Sequence, residues 1–186
     1  DMQILGMANQ FYNKMNLKRV YYSGYVPISS DNRLPAIGTP VPMIRENRLY
    51  QADWLLRFYG FRVEEIVNKE NPLLEMDIDP KLSWALRNLH LFPLDINKAD
   101  LSLIMRIPGI GVSSAEKIVA ARKFSKLTWD HLKKFGIAVN RARNFVSCYS
   151  DNFSIKDWLP SQIKEKILQG GVSKYKPDFS PQLKLF

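Results

Sequence analysis

The chain has 186 residues, 46% of them hydrophobic, and sets 27 Lys and Arg against 18 Asp and Glu, a formal charge of +9. That length and apolar share suffice to bury a real core in one ordinary domain or two small ones. A single cysteine, Cys148, excludes an internal disulfide framework, a cysteine-based zinc site and an iron–sulfur cluster held by this chain alone.

No run approaches the roughly 18 apolar residues of a membrane span. The opening "DMQILGMANQFYNKM" lacks the basic, apolar and cleavage regions of a signal peptide, so the expected location is the cytoplasm, with no membrane partner. Charge is unevenly placed. Residues 100–150 hold nine basic and three acidic side chains, a balance of +6, while 63–99 hold four against seven, a balance of −3. Such a basic segment suggests an anionic partner, nucleic acid above all, although a solvated lysine-rich surface explains the same charge.

Taken in chain order, "QILGMANQFYNKM" has helical spacing and predicts a helix ending near Asn16. "KRVYYSGYVPI", β-branched and aromatic, predicts a strand that stops at Pro27. Ser29 to Glu46, with Pro35, Pro40 and Pro42, reads as a loop. "RLYQADWLLRFYGF" predicts a helix with Leu55, Phe58 and Tyr59 at core spacing and Gly60 as its stop. Trp54 and Trp84 are expected in the core.

"PKLSWALRNLHLF" starts a helix with Pro80 in its first turn and Asp79 at its entry. Glu70, Glu75, Asp77 and Asp79 could suggest a metal or acid–base site, but their setting favours turn and helix-entry roles. His90 and His131 have no ligand-spaced partner, and neither is assigned to a metal. In "LDINKADLSLIMR", Asn97 is placed to cap and Asp100 follows three residues later. Cys148 is expected to be a half-buried helix residue. Beyond residue 150, a short helix is expected at "PSQIKEKILQ" and an extended tail at "GGVSKYKPDFSPQLKLF".

The most informative stretch is "RIPGIGVSSA", which puts a proline and two glycines between two helical runs. "GIGVSSA" (109–115) and "GIAVNRA" (136–142) share their spacing at an offset of 27 residues, and each follows an apolar run. The chain therefore repeats a helix, a tight turn and a second helix. Pro108 ends the first helix, Gly109 permits positive φ or close approach, and Gly111 leaves room at the start of the next. Amides at such a helix start can bind an anion, and being backbone donors they read no base identity.

"LIMRIPGIGVSSAEKIV" resembles the helix-hairpin-helix DNA-binding motif, and residues 94–146 look like a tandem of two such hairpins. The resemblance implies contacts to the phosphate backbone of double-stranded DNA from Gly109, Ile110, Gly111 and Ser113, aided by Ser114 and Lys117. It extends these contacts to Gly136, Asn140, Arg141 and Arg143 in the second hairpin. It also implies a monovalent cation on the carbonyls of Met105, Ile107 and Ile110. The second hairpin departs from the pattern, with Phe135 in place of proline and Ala138 in place of the second glycine; Lys133, Lys134, Arg141 and Arg143 could compensate electrostatically. Two other readings stay open: a monofunctional DNA glycosylase using Asp130, and a hairpin pair used for protein contact. A lysine nucleophile is missing from the glycosylase slot, which falls at Ser113.

A wider resemblance covers Lys18 to Cys148. "LKRVYYSGYVPI", "RENRLYQADWLLRFYGF", "DPKLSWALRN" and "FPLDINKADL", together with the first hairpin, look like the C-terminal region of DNA modification or repair proteins of the radical S-adenosylmethionine class. That implies a parent enzyme using a [4Fe–4S] cluster and S-adenosylmethionine, with this chain holding no cofactor and being inert alone. The last residues, Gln182, Leu183, Lys184, Leu185 and Phe186, resemble a bacterial sliding-clamp-binding peptide. The expected fold is mainly α. Residues 1–30 form a helix plus strand left from an upstream α/β barrel, 31–93 a Pro-rich loop and helical linker, 94–148 the tandem hairpin domain, and 149–186 a polar extension.

Overall fold

A computed structural model describes residues 1–41, 43–149 and 159–170. The described residues are mainly helical, with α1 (Met2–Met15), α2 (Met43–Phe58), α3 (Val63–Ile66) and α4 (Pro80–Arg87) forming a first helical layer. A short 3-10 turn, Leu89–Leu91, leads into β1 (Leu94–Asp95), and the tandem hairpins follow as α5 (Leu101–Ile104), α6 (Val112–Ala121), α7 (Trp129–Lys134) and α8 (Val139–Ala142). β2 (Val146–Ser147) and α9 (Pro160–Gly170) complete the described elements. The clamp-like residues Gln182, Leu183, Leu185 and Phe186 lie outside the described residues. Among the described residues no helix is long and apolar enough to cross a membrane.

α1 ends as expected at Asn16, whose left-handed φ of 52° is one that asparagine tolerates better than most residues. The segment after it, however, is not the predicted strand. Residues 18–28 run without regular structure, because their amides go to side chains instead of a neighbouring strand. Val20 N donates to Tyr12 Oη at 3.0 Å, Tyr22 N to Tyr50 Oη at 3.0 Å, and Gly24 N to Glu46 Oε2 at 3.1 Å. Helix α2 then starts at Met43, earlier than the proline-rich sequence suggests, since a helix can begin directly after a proline.

α2 turns Leu49, Ala52, Asp53 and Leu55 inward. Trp54 and Phe58 fall on the opposite side of the helical wheel and are more than half exposed, so only Trp84 of the two tryptophans is in the core. The buried carboxylate of Asp53 accepts from Tyr12 Oη, from Tyr22 Oη at 3.2 Å and from Arg57 Nε at 2.8 Å. One charged group thereby ties α1, the irregular segment and α2 together.

Asp79 caps α4 by accepting from Leu82 N at 3.1 Å, with Pro80 in the first turn as expected. The helical layer meets the hairpins through a run of edge-on rings: Phe61 on Trp84 at 5.4 Å, Trp84 on Phe92 at 6.3 Å and Phe92 on Phe145 at 5.0 Å. Arg106 crosses the same seam, lying 4.6 Å over Phe61 and donating to Glu65 at 2.9 Å. α9 packs on α4 and α8 through buried Ile163 and Ile167, and Lys164 pairs with Glu75 and Asp77, each at 2.7 Å.

Around the hairpins, β1 and β2 pair in parallel, Leu94 with Val146 and Asp95 with Ser147. Cys148 follows β2 as a buried coil residue and is not on a helix. Asn97 does not cap α5, whose N-cap is Asp100. It reaches across the unit instead, accepting from Leu127 N at 2.7 Å and donating to Leu127 O at 3.3 Å.

Replacing Asp53 with asparagine leaves Arg57 without its buried counter-charge. The expected loss is about 3–5 kcal/mol, read as a lower urea midpoint at unchanged m; an unaltered midpoint would show that this node does not hold the first layer.

Candidate nucleic-acid interface

The repeat seen in the sequence is a repeat in three dimensions. Gly109 and Gly136 both have positive φ, 87° and 78°, in the loops that join α5 to α6 and α7 to α8. The paired Ile110 and Ile137 are buried beneath those loops, and Ala115 and Ala142 are both fully buried where the second helix of each hairpin meets the core. Only a small residue lets that helix approach so closely.

The two loops pack against each other. Ala138 N donates to Gly109 O at 3.1 Å, and Ser114 Oγ donates to Phe135 O at 2.9 Å. A Cβ at Gly109 would sit 2.8 Å from Ala138 O and 3.1 Å from Arg141 Cβ, whereas one at Gly136 would meet nothing within 4 Å. Gly109 is therefore needed twice, for its φ and for the contact between hairpins. Gly111 is different. Its φ of −85° suits any residue, and a Cβ there would touch only Tyr59 Oη, at 3.8 Å.

α6 starts at Gly111 without a side-chain cap, so the amides of its first turn retain their donors. Ser113 and Lys117 stand exposed on this turn and the next, while Ser114 is half-buried by its bond to Phe135. In the second hairpin the amide of Ala138 is already given to Gly109. Gly136, Asn140 and Arg143 are exposed there, as are Lys133 and Lys134. Arg141 pairs with the α4 cap Asp79. Asp130 is exposed in the first turn of α7 and bonds Lys133 at 3.2 Å. His131 accepts from Thr128 N at 3.1 Å as part of a capping box, a role its isolation in the sequence did not suggest.

Behind the first loop lies a residue that sequence reasoning missed. Lys81, in the first turn of α4, is only 8% exposed; its Nζ donates to Ile110 O at 2.5 Å and lies 4.5 Å over the Tyr59 ring. Burial drives its ammonium down to about 7, with Asp79 opposing and Arg141 and Arg106 reinforcing the shift. Of the three carbonyls implied for a monovalent cation, Ile110 O accepts from Lys81 Nζ and Ile107 O accepts from Ile110 N at 3.2 Å. Among the described residues no group of three or more His, Cys, Asp or Glu is placed to hold a metal ion.

Comparison with known proteins agrees with the hairpin geometry. The helix-hairpin-helix motif family matches residues 93–135. Over 122 residues the chain is 28% identical to the Holliday junction branch migration complex subunit RuvA of Stutzerimonas stutzeri (strain A1501), covering 63% of this chain and 60% of that protein. It is 27% identical, over the same shares, to the protein of that name from Pseudomonas paraeruginosa (strain DSM 24068 / PA7). The match spans about 60% of the length of these relatives. No solved structure matches.

Two outcomes test this site. Gly136→Ala should cost about 1–2 kcal/mol for its left-handed backbone, and Gly109→Ala about 2–5 kcal/mol because the clash with Ala138 adds to it; equal losses in urea unfolding would refute the loop contact. Lys81 binds its proton in both the folded and unfolded chain below about pH 7. Above that pH only the unfolded chain keeps it, until its ordinary value near 10.4. Folding stability should therefore rise with pH across this window, and Lys81→Met should remove that rise. An identical pH slope in the variant would refute the assignment.

Proposed function

We propose that this chain grips DNA by its phosphate backbone, without reading sequence, through the loop between α5 and α6. One observation carries the reading: α6 begins uncapped at Gly111, with Lys117 exposed one turn further on, in the most basic segment of the chain. Neither φ nor packing within the protein demands glycine at 111, so an external backbone approaching this point supplies its reason. Ser113, Lys134, Asn140 and Arg143 extend the surface, and the amide given up by Ala138 makes the second hairpin the weaker half. The similarity to subunits of a Holliday junction branch migration complex supports a duplex or branched DNA ligand.

The parent enzyme we propose is a radical S-adenosylmethionine DNA modification or repair protein, a reading that rests on the strings between Lys18 and Cys148. This chain's single cysteine, buried Cys148, does not fit a three-thiolate cluster site, so any [4Fe–4S] chemistry belongs to another segment. The glycosylase alternative is disfavoured by Asp130, which is exposed in the first turn of α7 and already ion-paired with Lys133. Clamp binding by Gln182 to Phe186 is a further proposal on sequence alone.

Backbone binding of this kind depends steeply on salt. About four phosphate contacts give a log–log slope of about −3 to −4 on duplex DNA. Lys117→Ala should flatten the slope by about 1 and weaken all sequences alike. No duplex binding at low salt would sink the proposal.

A further inference from the structure

Phe124 is 90% exposed in the turn that follows α6. The turn is well fixed. Phe124 N donates to Ala121 O at 3.0 Å, Arg122 donates to Ile96 O and Ala99 O, and Leu127 is held from both sides by Asn97. The ring is thus presented on a rigid support, and it makes no ring contact within the described residues. Its neighbours are cations. Lys123 and Lys126 are exposed on either side of it, and Lys126 Nζ lies 4.5 Å over the Tyr149 ring, which is itself exposed. Lys98 stands on the adjoining loop that Asn97 and Arg122 tie to this turn. The carboxylate beside it, Asp95, is already engaged by Lys98 at 3.7 Å and by Asn97 N at 2.9 Å.

A free aromatic face among lysines suits one kind of ligand. It stacks any unpaired nucleobase while the cations meet the flanking phosphates. Base pairs within a duplex are stacked on both sides by their neighbours and present no free face. The position also fits: α6 has ten residues, so its far end lies roughly 15 Å from the Gly111 loop. We infer that Phe124, supported by Lys98, Lys123 and the Lys126–Tyr149 pair, is a stacking site for the unpaired strand of a DNA whose duplex part is held at the first hairpin. This inference rests on the backbone grip proposed above and adds to it a preference for DNA with a single-stranded extension.

The test compares the whole chain on a blunt duplex and on the same duplex with an overhang of about ten thymidines, by fluorescence anisotropy. A 2-aminopurine in the overhang reports stacking. The wild-type chain should bind the overhang duplex more tightly and quench the probe. Phe124→Ala should lose about five- to 150-fold on the overhang duplex, leave blunt-duplex binding unchanged and abolish the quench, while Phe124→Trp should retain all three. Equal affinity of Phe124→Ala and wild type for the overhang duplex overturns the inference, as does a wild-type chain that does not distinguish the two DNAs. Burial of Phe124 in a self-associated species, seen by sedimentation, also overturns it. Failure of the backbone grip is separate, because the wild-type chain would then not bind the blunt duplex.

Discussion

Two hairpin loops approach one another until the carbonyl of Gly109 accepts from the amide of Ala138, and the rest of the hairpin unit is arranged around that distance. No Cβ fits at 109. The contact fixes the relative tilt of the hairpins, which lets Ser114 reach Phe135 and brings Ala115 and Ala142 into the shared core. It also divides labour between the loops, since the second gives the amide of Ala138 inward while the first turn of α6 is left without a side-chain cap.

Polar groups placed inside the protein extend this order to the helical layer. Lys81 pins Ile110 from behind, and Arg141 joins the second hairpin to the cap of α4. Arg106 sits on Phe61 and Trp84 and meets Glu65. Burying an ammonium is costly unless its bonds are made, and here one bond goes to the loop that faces outward. The loop is thus held from inside the protein.

What the sequence revealed and what it hid divide along a physical line. The repeat was legible because both loops need positive φ at the same step and a small residue six positions later, and those demands restrict residue type at fixed spacing. The α4 entry was legible because Asp79 and Pro80 act within one turn. Residues 18–28 have the composition of a strand, but composition cannot show that Tyr12, Tyr50 and Glu46 take their amides. Asn97 has the chemistry of a cap and bonds a backbone thirty residues away. Lys81 looks like any helix lysine, since nothing near it in the chain signals that Ile110 lies above it. Trp54 has the composition of a core residue, but the neighbouring Asp53, with three partners, takes the buried position.

The parallel pairing of β1 with β2 closes the hairpin unit at its base. The chain enters at the start of β1 and leaves from the end of β2, so a pull along the backbone slides the two strands past each other. Leu94 N to Phe145 O and Ile96 N to Ser147 O then bear the load together, instead of parting one after the other. Tension crosses the clasp and bypasses the loops above it. A hairpin pair hung in this way can stay seated on its ligand while the flanking chain is tugged.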